Sequence, residues 1–481
     1  MAPLQKKFLG SLLLLIVLNA LVKPAWIFGI DRNVQNITGF AEYGRYFAML
    51  GFCLVFGVLL DPGLNIYLNR QAALQPSDRV ALFWDVLYAK GFLFVLYGVV
   101  VGAFAWAMGI EDLSYLFPFV VLVMLLSLLG FLRAYLSAAQ QFQQDSVLSV
   151  MDKGIVIVGV GAMVLFPDLI GPVTIHRFVW FQSLAIFCSI LLAWGFIRRA
   201  VHGFGFRLFR GFRGELFRSS LPFALNNFLM TLILRSDGFL LERLHPSGAY
   251  EAGVYAAGFR ILDAFSMIGS LVTGYLLSYL ARHWPDKLLV EPSIVIARRG
   301  LICMAILLGV AGSVMPSYFT DLLYHRSDSS LVAVMWAILL ALPGLSLVSI
   351  YGTILTAVGH IGTFIRISSS FALTSVVLNY LLIPTLGALG CALVAVGVET
   401  AYAIALLIAS RRLTGIGLHP GEGLAYLFTG LMGFGALRIF VYLGANPLFA
   451  IGMTGACMVG LFYAILRIRF QLPGWEEEGK H

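Results

Sequence analysis

Apolar runs of about 20 residues recur from one end of the 481-residue chain to the other. An α-helix needs a run of about this length to cross the hydrocarbon core of a bilayer. The runs therefore predict an all-α polytopic membrane protein with about 14 transmembrane helices. Their expected limits are 9–29, 43–63, 82–108, 115–138, 148–168, 176–197, 218–240, 252–280, 297–317, 331–357, 364–384, 388–410, 421–441 and 446–467.

The composition excludes an ordinary soluble fold. Hydrophobic residues make up 60% of the chain and charged residues 12%, whereas a typical soluble domain is about 25% charged. A soluble protein this apolar would have too little polar surface to present to water. No soluble domain is therefore expected beside the membrane helices.

The basic residues indicate the orientation. The net charge is +8, and the strongest basic segment, 198–218, lies between the sixth and seventh runs. With the N-terminus inside, this segment and most other basic residues are cytoplasmic, as the positive-inside rule requires. We expect a multi-pass protein of the bacterial inner membrane with both termini cytoplasmic, and no nucleic-acid partner is needed to explain the charge. Twelve spans would have the same parity as fourteen.

Two pairs of segments repeat along the chain. Residues 39–48 (GFAEYGRYFA) match 248–257 (GAYEAGVYAA) at an offset of 209, and 136–143 (LSAAQQFQ) match 355–362 (LTAVGHIG) at an offset of 219. Because both pairs occur in the same order, they predict two halves of six helices each. Each half begins and ends inside, so the halves are parallel repeats with a binding site expected between them.

This repeat predicts a domain organisation. We expect an N-terminal six-helix bundle over 1–200, a basic cytoplasmic linker over 201–217 and a C-terminal six-helix bundle over 218–412. Two extra helices and a cytoplasmic tail follow over 413–481.

Polar residues within the first span form one face. Asn19, Lys23 and Trp26 are spaced i, i+4 and i+7, which places them on the same side of a helix. Pro24 follows Lys23 at once and predicts a local distortion of the backbone. A cation this deep in a membrane is strongly disfavoured without a use, so Lys23 is a candidate functional residue, as is Arg235 in the seventh span.

Several cations together favour a basic cavity. Arginine and lysine bind phosphate oxygens, and the attraction strengthens where water is sparse, so such a cavity suits a diphosphate. For Lys90 and Lys153 the alternative is that their side chains snorkel to the inner headgroups. Arg260 is followed by Asp263 at i+3, which can neutralise it. The candidate substrate-binding residues are Lys23, Arg235, Arg260, Lys90 and Lys153.

Other charged residues are candidates for a gate or for ion coupling. Asp31, Arg32 and Asp237 lie at the outer ends of the first and seventh spans and are expected to form a gate or an ion pair. Glu399 lies in the middle of the twelfth span. A carboxyl group there can stay neutral and hydrogen-bonded, or it can titrate and couple transport to an ion.

Signals for an enzyme or a metal site are missing. The eight histidines form no HxxxH or HExxH pair, and the five cysteines form no CxxC pair, so no metal is expected. No P-loop and no Asp-x-Asp cluster occurs. We expect neither catalysis nor a bound cofactor.

Residues 23–36 (KPAWIFGIDRNVQN), 43–47 (YGRYF) and 60–63 (LDPG) resemble the start of bacterial polysaccharide repeat-unit flippases. These are the O-antigen-type translocases of the multidrug/oligosaccharidyl-lipid/polysaccharide (MOP) exporter superfamily. The segment 220–262 is similar to the family as well. The resemblance implies two six-helix bundles around a V-shaped cavity whose opening alternates.

The same resemblance implies a function. The protein would move undecaprenyl-diphosphate-linked oligosaccharide, used for lipopolysaccharide, from the cytoplasmic to the periplasmic leaflet. Lys23, Arg235 and Arg260 would contact the diphosphate or acidic sugars, whereas Asp31 and Asp237 would pair with cations at the outer gate. Implied partners are the lipid-linked oligosaccharide, membrane lipids, a polysaccharide polymerase and glycosyltransferases. Coupling to protons or sodium is known in the superfamily.

Three alternatives remain open. A multidrug and toxin extrusion antiporter would carry an acidic site in its first half, where this chain is largely basic. A peptidoglycan-precursor flippase also has fourteen spans. A membrane-embedded transferase would need a catalytic cluster that the sequence lacks.

Overall fold

The structure is a computed structural model that describes residues 17–65, 68, 79–110, 112–198, 214–325 and 328–470. Over these residues the chain is helical and contains no strand. The helices are α1 (Val17–Leu60), α2 (Arg79–Ala107), α3 (Leu113–Ala138), α4 (Phe142–Leu165), α5 (Pro167–Ile170), α6 (Ile175–Ile197), α7 (Gly214–Leu244), α8 (Gly248–His283), α9 (Lys287–Val314), α10 (Pro316–Leu323), α11 (Ser329–Leu340), α12 (Leu342–Ala357), α13 (Ile361–Thr414), α14 (Pro420–Tyr442) and α15 (Pro447–Phe470).

Eleven helical segments of the described chain are long and apolar enough to cross a membrane, with α11 and α12 forming one of them. Two of the eleven are long enough to cross twice: α1 has 44 residues and α13 has 54, which is about 66 and 81 Å at 1.5 Å per residue. Each is broken at a glycine with positive φ, Gly39 (84°) and Gly387 (54°). When α1 and α13 are each counted as two spans and α7 is added, the eleven segments become the expected fourteen spans. The all-α polytopic class is confirmed.

The chain forms two compact units, Met1–Ala256 and Ala257–His481. The first unit contains α1 to α7 and the start of α8, and the second contains the rest. Most of the predicted linker 201–217 lies outside the described residues, as does the start of the first span. The predicted division into two six-helix bundles stays a prediction.

The second pair of repeated segments forms the same turn twice. Gln140 and Gly359, which are equivalent in the repeat, follow the ends of α3 and α12 with positive φ values of 60° and 88°. In both copies the next amide N–H donates to the carbonyl five residues earlier, at 2.9 and 2.8 Å. This is the helix end that a left-handed residue makes, in which free carbonyls of the last turn gain donors. The sequence echo therefore marks a structural repeat.

The first pair of repeated segments packs reciprocally. A Cβ built on Gly44 of α1 would overlap the carbonyl oxygen of Ala249, and one on Gly253 of α8 would overlap that of Phe40. Gly44 is equivalent to Gly253, and Phe40 to Ala249, at the offset of 209. Gln35 adds a hydrogen bond of 2.9 Å from its amide nitrogen to the Gly253 carbonyl. Two equivalent glycines thus allow the two backbones to touch, as small residues do in membrane helix pairs.

Candidate functional site

The first span is distorted directly after Lys23 and Pro24. Pro24 has no N–H to donate, and the following segment, Ala25–Asp31, adopts a π-helix in which the turn is wider than in an α-helix. Short π segments inside α-helices often occur at functional sites. The distortion predicted from Pro24 is confirmed.

The polar face of α1 lies against α4. The amide nitrogen of Asn19 donates to the hydroxyl of Ser149 at 2.9 Å. About two turns further along α1, the Trp26 ring has the ammonium of Lys153 4.5 Å from its centre. Because both contacts are made with α4, Asn19 and Trp26 share one face as their spacing predicts.

Charged residues of α3 and α4 lie around Lys23 of α1, and we call Lys23, Arg133, Asp145, Asp152 and Lys153 the basic cluster. Arg133 of α3 pairs with Asp145 at 2.7 Å, and Lys153 pairs with Asp152 at 3.2 Å. Lys23, which is half-buried, interacts electrostatically with Arg133, Lys153 and Asp152.

The basic cluster keeps one unbalanced positive charge. It contains three cations and two carboxylates, and Lys23 has neither a hydrogen bond nor an ion pair among the described residues. Of the sequence-predicted substrate residues, the structure brings Lys153 to Lys23. The sequence analysis did not single out Asp145, which is 12 residues from its partner Arg133, or Asp152, which is more than 100 residues from Lys23.

A buried tyrosine binds each of the two aspartates, Asp31 and Asp237, that the sequence predicts to form a gate or an ion pair. The hydroxyl of Tyr43 donates to Asp31 at 2.7 Å, and that of Tyr255 donates to Asp237 at 2.6 Å. Both tyrosines lie within the first pair of repeated segments. They are not equivalent there: Tyr43 corresponds to Ala252, which lies about one helical turn before Tyr255. The guanidinium of Arg32 donates to the side-chain oxygen of Asn33 at 3.0 Å. Pairing of the aspartates with cations stays a prediction.

We expect Tyr43→Phe and Tyr255→Phe each to lower the free energy of unfolding by about 1–3 kcal/mol, because each leaves a buried carboxylate oxygen without this donor. Thermal unfolding of the purified variants measures the change. Tyr463→Phe is the matched control, since Tyr463 is 58% exposed and makes no hydrogen bond in the described chain. Unchanged stability in all three variants would contradict a structural role for the acid–tyrosine pairs.

Lys90 lies inside the first unit and is completely buried. Its ammonium donates to the Leu60 carbonyl at 3.0 Å and to the Ser127 hydroxyl at 2.9 Å. Leu60 is the last residue of α1, whose final carbonyls have no partner within the helix. Lys90 therefore ties the end of α1 to α2 and α3. Its contact with substrate stays a prediction.

The remaining predicted residues lie on other helices. Arg235 is half-buried on α7, and its backbone carbonyl faces Gly51 closely enough to exclude a Cβ there. In the second unit, Arg260 and Asp263 form the ion pair that their spacing predicts, at 3.2 Å and largely buried. Glu399 is buried on α13, with its backbone against Gly344. The substrate and ion-coupling roles of these residues stay predictions.

The sequence matches a protein-family model. The family is described as "Polysaccharide biosynthesis protein", and the match covers residues 11–279, more than half of the chain. A search of curated proteins gave no significant match.

Solved structures share the fold. The lipid II flippase MurJ in an inward closed conformation is 13% identical, with a TM-score of 0.69, 95% of this chain and 99% of that chain covered. An inward-facing multidrug resistance MATE transporter of the MOP superfamily is 12% identical, with a TM-score of 0.58 and coverage of 81% and 94%. A MOP superfamily transporter from Pyrococcus furiosus, described as having a binding pocket of reverse polarity, is 13% identical, with a TM-score of 0.58 and coverage of 84% and 94%. At these identities the likeness shows the fold alone.

Proposed function

The chain belongs to the polysaccharide biosynthesis protein family, and we propose that it is a flippase for undecaprenyl-diphosphate-linked oligosaccharide repeat units. The substrate would enter from the cytoplasmic leaflet and leave in the periplasmic leaflet by alternating access. The sugar head would travel through the protein while the polyprenyl tail remains in the bilayer.

The unbalanced charge at Lys23 is the observation that carries this proposal. A cation that is half-buried beside Arg133 and Lys153, with no ion pair of its own, attracts an anion strongly because little water screens it. A diphosphate offers several oxygens to the ammonium groups and to the Arg133 guanidinium. An organic cation would be repelled, which disfavours a multidrug and toxin extrusion antiporter.

A peptidoglycan-precursor flippase is the second candidate, since the lipid II flippase matches over 95% of this chain in fold. Both candidates would bind a polyprenyl diphosphate, and they differ in the sugars attached to it. Membership in the polysaccharide biosynthesis family favours an oligosaccharide repeat unit, such as that of an O-antigen. A transport assay with both substrates would separate them.

The proposal extends to the surroundings of the protein. We propose a location in the bacterial inner membrane with both termini cytoplasmic, because the basic residues follow the positive-inside pattern. Glycosyltransferases would supply the lipid-linked unit and a polymerase would consume it. Glu399 is the proposed site of proton or sodium coupling, since a buried carboxyl can change its charge during the cycle.

The proposed function predicts transport in proteoliposomes. A labelled undecaprenyl-diphosphate oligosaccharide should become accessible on the opposite leaflet only when the protein is present. The rate should fall in Lys23→Ala/Arg235→Ala and stay normal in Arg366→Gln, which removes an exposed arginine of α13. Transport of lipid II but not of the oligosaccharide would favour the second candidate. Failure to move either substrate under imposed ion gradients would refute the proposal.

A further inference from the structure

A cavity of about 310 Å³ lies within the second unit, between α9, α14 and α15. Its volume is in the range of sites for small ligands. Apolar side chains form most of its wall, among them Leu307, Met458 and Phe462. A hydrocarbon chain suits such a wall. It would pack against these apolar side chains, and no polar group would have to lose a hydrogen bond.

One end of the cavity is positively charged. Arg298 is buried, and both of its terminal nitrogens are engaged: the guanidinium pairs with Glu422 and donates to the Tyr351 hydroxyl at 3.1 Å and to the Gly417 carbonyl at 2.9 Å. Arg299 lines the cavity, and within the described part of the chain only its Nε is engaged, with Glu422 at 3.3 Å. Two guanidinium groups thus share one carboxylate.

The terminal nitrogens of Arg299 are consequently available. They make no hydrogen bond or ion pair among the described residues, and the side chain keeps 23% of its surface exposed. Guanidinium nitrogens in this position are suited to phosphate oxygens. Basic pockets between membrane helices on the cytoplasmic side bind the headgroups of anionic lipids.

A second polar group lies on the cavity wall. The hydroxyl of Thr429 is buried, with the residue 2% exposed, and it has no hydrogen-bond partner among the described residues. Thr429 is seven residues after Glu422, so it lies about two turns deeper on the same face of α14. A buried hydroxyl without a partner is unfavourable, because it has lost its hydrogen bonds to water. A ligand that brings a hydrogen-bond acceptor to this depth would satisfy it.

We propose that this cavity binds an anionic glycerophospholipid as a resident lipid. Its phosphate would contact Arg299, an ester carbonyl would accept from Thr429, and one acyl chain would lie against Met458 and Phe462. A polyprenyl diphosphate has a phosphate and a hydrocarbon chain but no ester carbonyl, so Thr429 favours the glycerolipid. This inference does not depend on the transported substrate.

Lipid analysis by native mass spectrometry tests the proposal. Protein purified in mild detergent and supplied with phosphatidylglycerol should retain it in preference to phosphatidylcholine. Retention should fall about fivefold in Arg299→Gln, the factor that corresponds to about 1 kcal/mol. Gly300→Phe should abolish retention, because Gly300 lines the cavity and a side chain there meets open space. Thr429→Val should weaken the preference for an ester-linked lipid over its ether-linked analogue.

Arg366→Gln is the matched control and should retain the lipid, since Arg366 is exposed and does not line the cavity. A far-ultraviolet circular dichroism spectrum identifies any variant that has not folded. Equal retention in wild type, Arg299→Gln and Gly300→Phe would overturn the proposal. So would preferential retention of undecaprenyl diphosphate that Gly300→Phe removes, because the cavity would then be a substrate site. Binding of inorganic phosphate alone, without retention of phosphatidylglycerol, would also overturn it.

Discussion

Gly253→Ala is expected to destabilise the protein by about 1–3 kcal/mol and to slow transport, because the added methyl group would overlap the carbonyl of Phe40. A side chain in the way could rotate aside, but a backbone carbonyl within a helix cannot. The helices α1 and α8 must therefore separate, and Gln35 would lose its hydrogen bond to the Gly253 carbonyl. Thermal unfolding and the proteoliposome assay measure the two effects.

The reciprocal contact provides a further test. Gly44→Ala should have a similar effect, since its methyl group would overlap the carbonyl of Ala249. The double variant should be less destabilised than the sum of the two, because helices separated by one methyl group already have room for the other. Gly269→Ala is the control on α8: a Cβ there meets nothing within 4 Å. If Gly253→Ala is as stable as Gly269→Ala, the close packing is not important for the fold.

The membrane helices could be predicted from the sequence because a continuous apolar run determines both the existence and the length of a span. The connections between the runs were less predictable. The first two spans form the single helix α1, since Gly39 bends the chain without a loop, and Gly387 does the same within α13. The two sequence echoes were informative because they contain the residues on which a turn and a helix crossing depend, Gln140 with Gly359 and Gly44 with Gly253.

The candidate site was predictable only on one helix. Spacing alone placed Asn19, Lys23 and Trp26 on one face, because the period of a helix is local information. The partners on that face come from α4, and no local pattern connects Asp152 to Lys23 across more than 100 residues. The same reason explains why no sequence pattern connects Arg298 to Glu422, with which it forms a buried ion pair across 124 residues.

The tyrosine partners of the two aspartates illustrate a further limit. Tyr43 and Tyr255 occupy different positions of the repeat, yet each binds the aspartate at the end of the preceding span. The lengths between acid and tyrosine also differ, 12 and 18 residues. A sequence comparison aligns Tyr255 with Tyr46 instead. The function of the contact is therefore repeated while its sequence position has shifted by one helical turn.

Lys23→Ala is expected to reduce the affinity for undecaprenyl diphosphate by roughly 30-fold, about 2 kcal/mol, because it removes the one cation of the basic cluster without an ion pair. Lys23→Arg should retain most of the affinity, since it keeps the charge. Binding is measured by titrating the purified variants with the lipid at two salt concentrations. The difference between wild type and Lys23→Ala should shrink at high salt, where partly exposed charges are screened.

Restoring the net positive charge of the basic cluster separates electrostatics from shape. Lys23→Ala leaves two cations and two carboxylates in the basic cluster, and a further Asp152→Asn change would leave two cations and one carboxylate. Asparagine has nearly the shape of aspartate, so Lys23→Ala/Asp152→Asn should regain part of the lost affinity. Lys23→Ala/Asn19→Ala is the comparison, because it removes a neutral neighbour and should regain none. If neither double variant recovers, the Lys23 ammonium acts by direct contact with the diphosphate, and the net charge of the basic cluster does not determine binding.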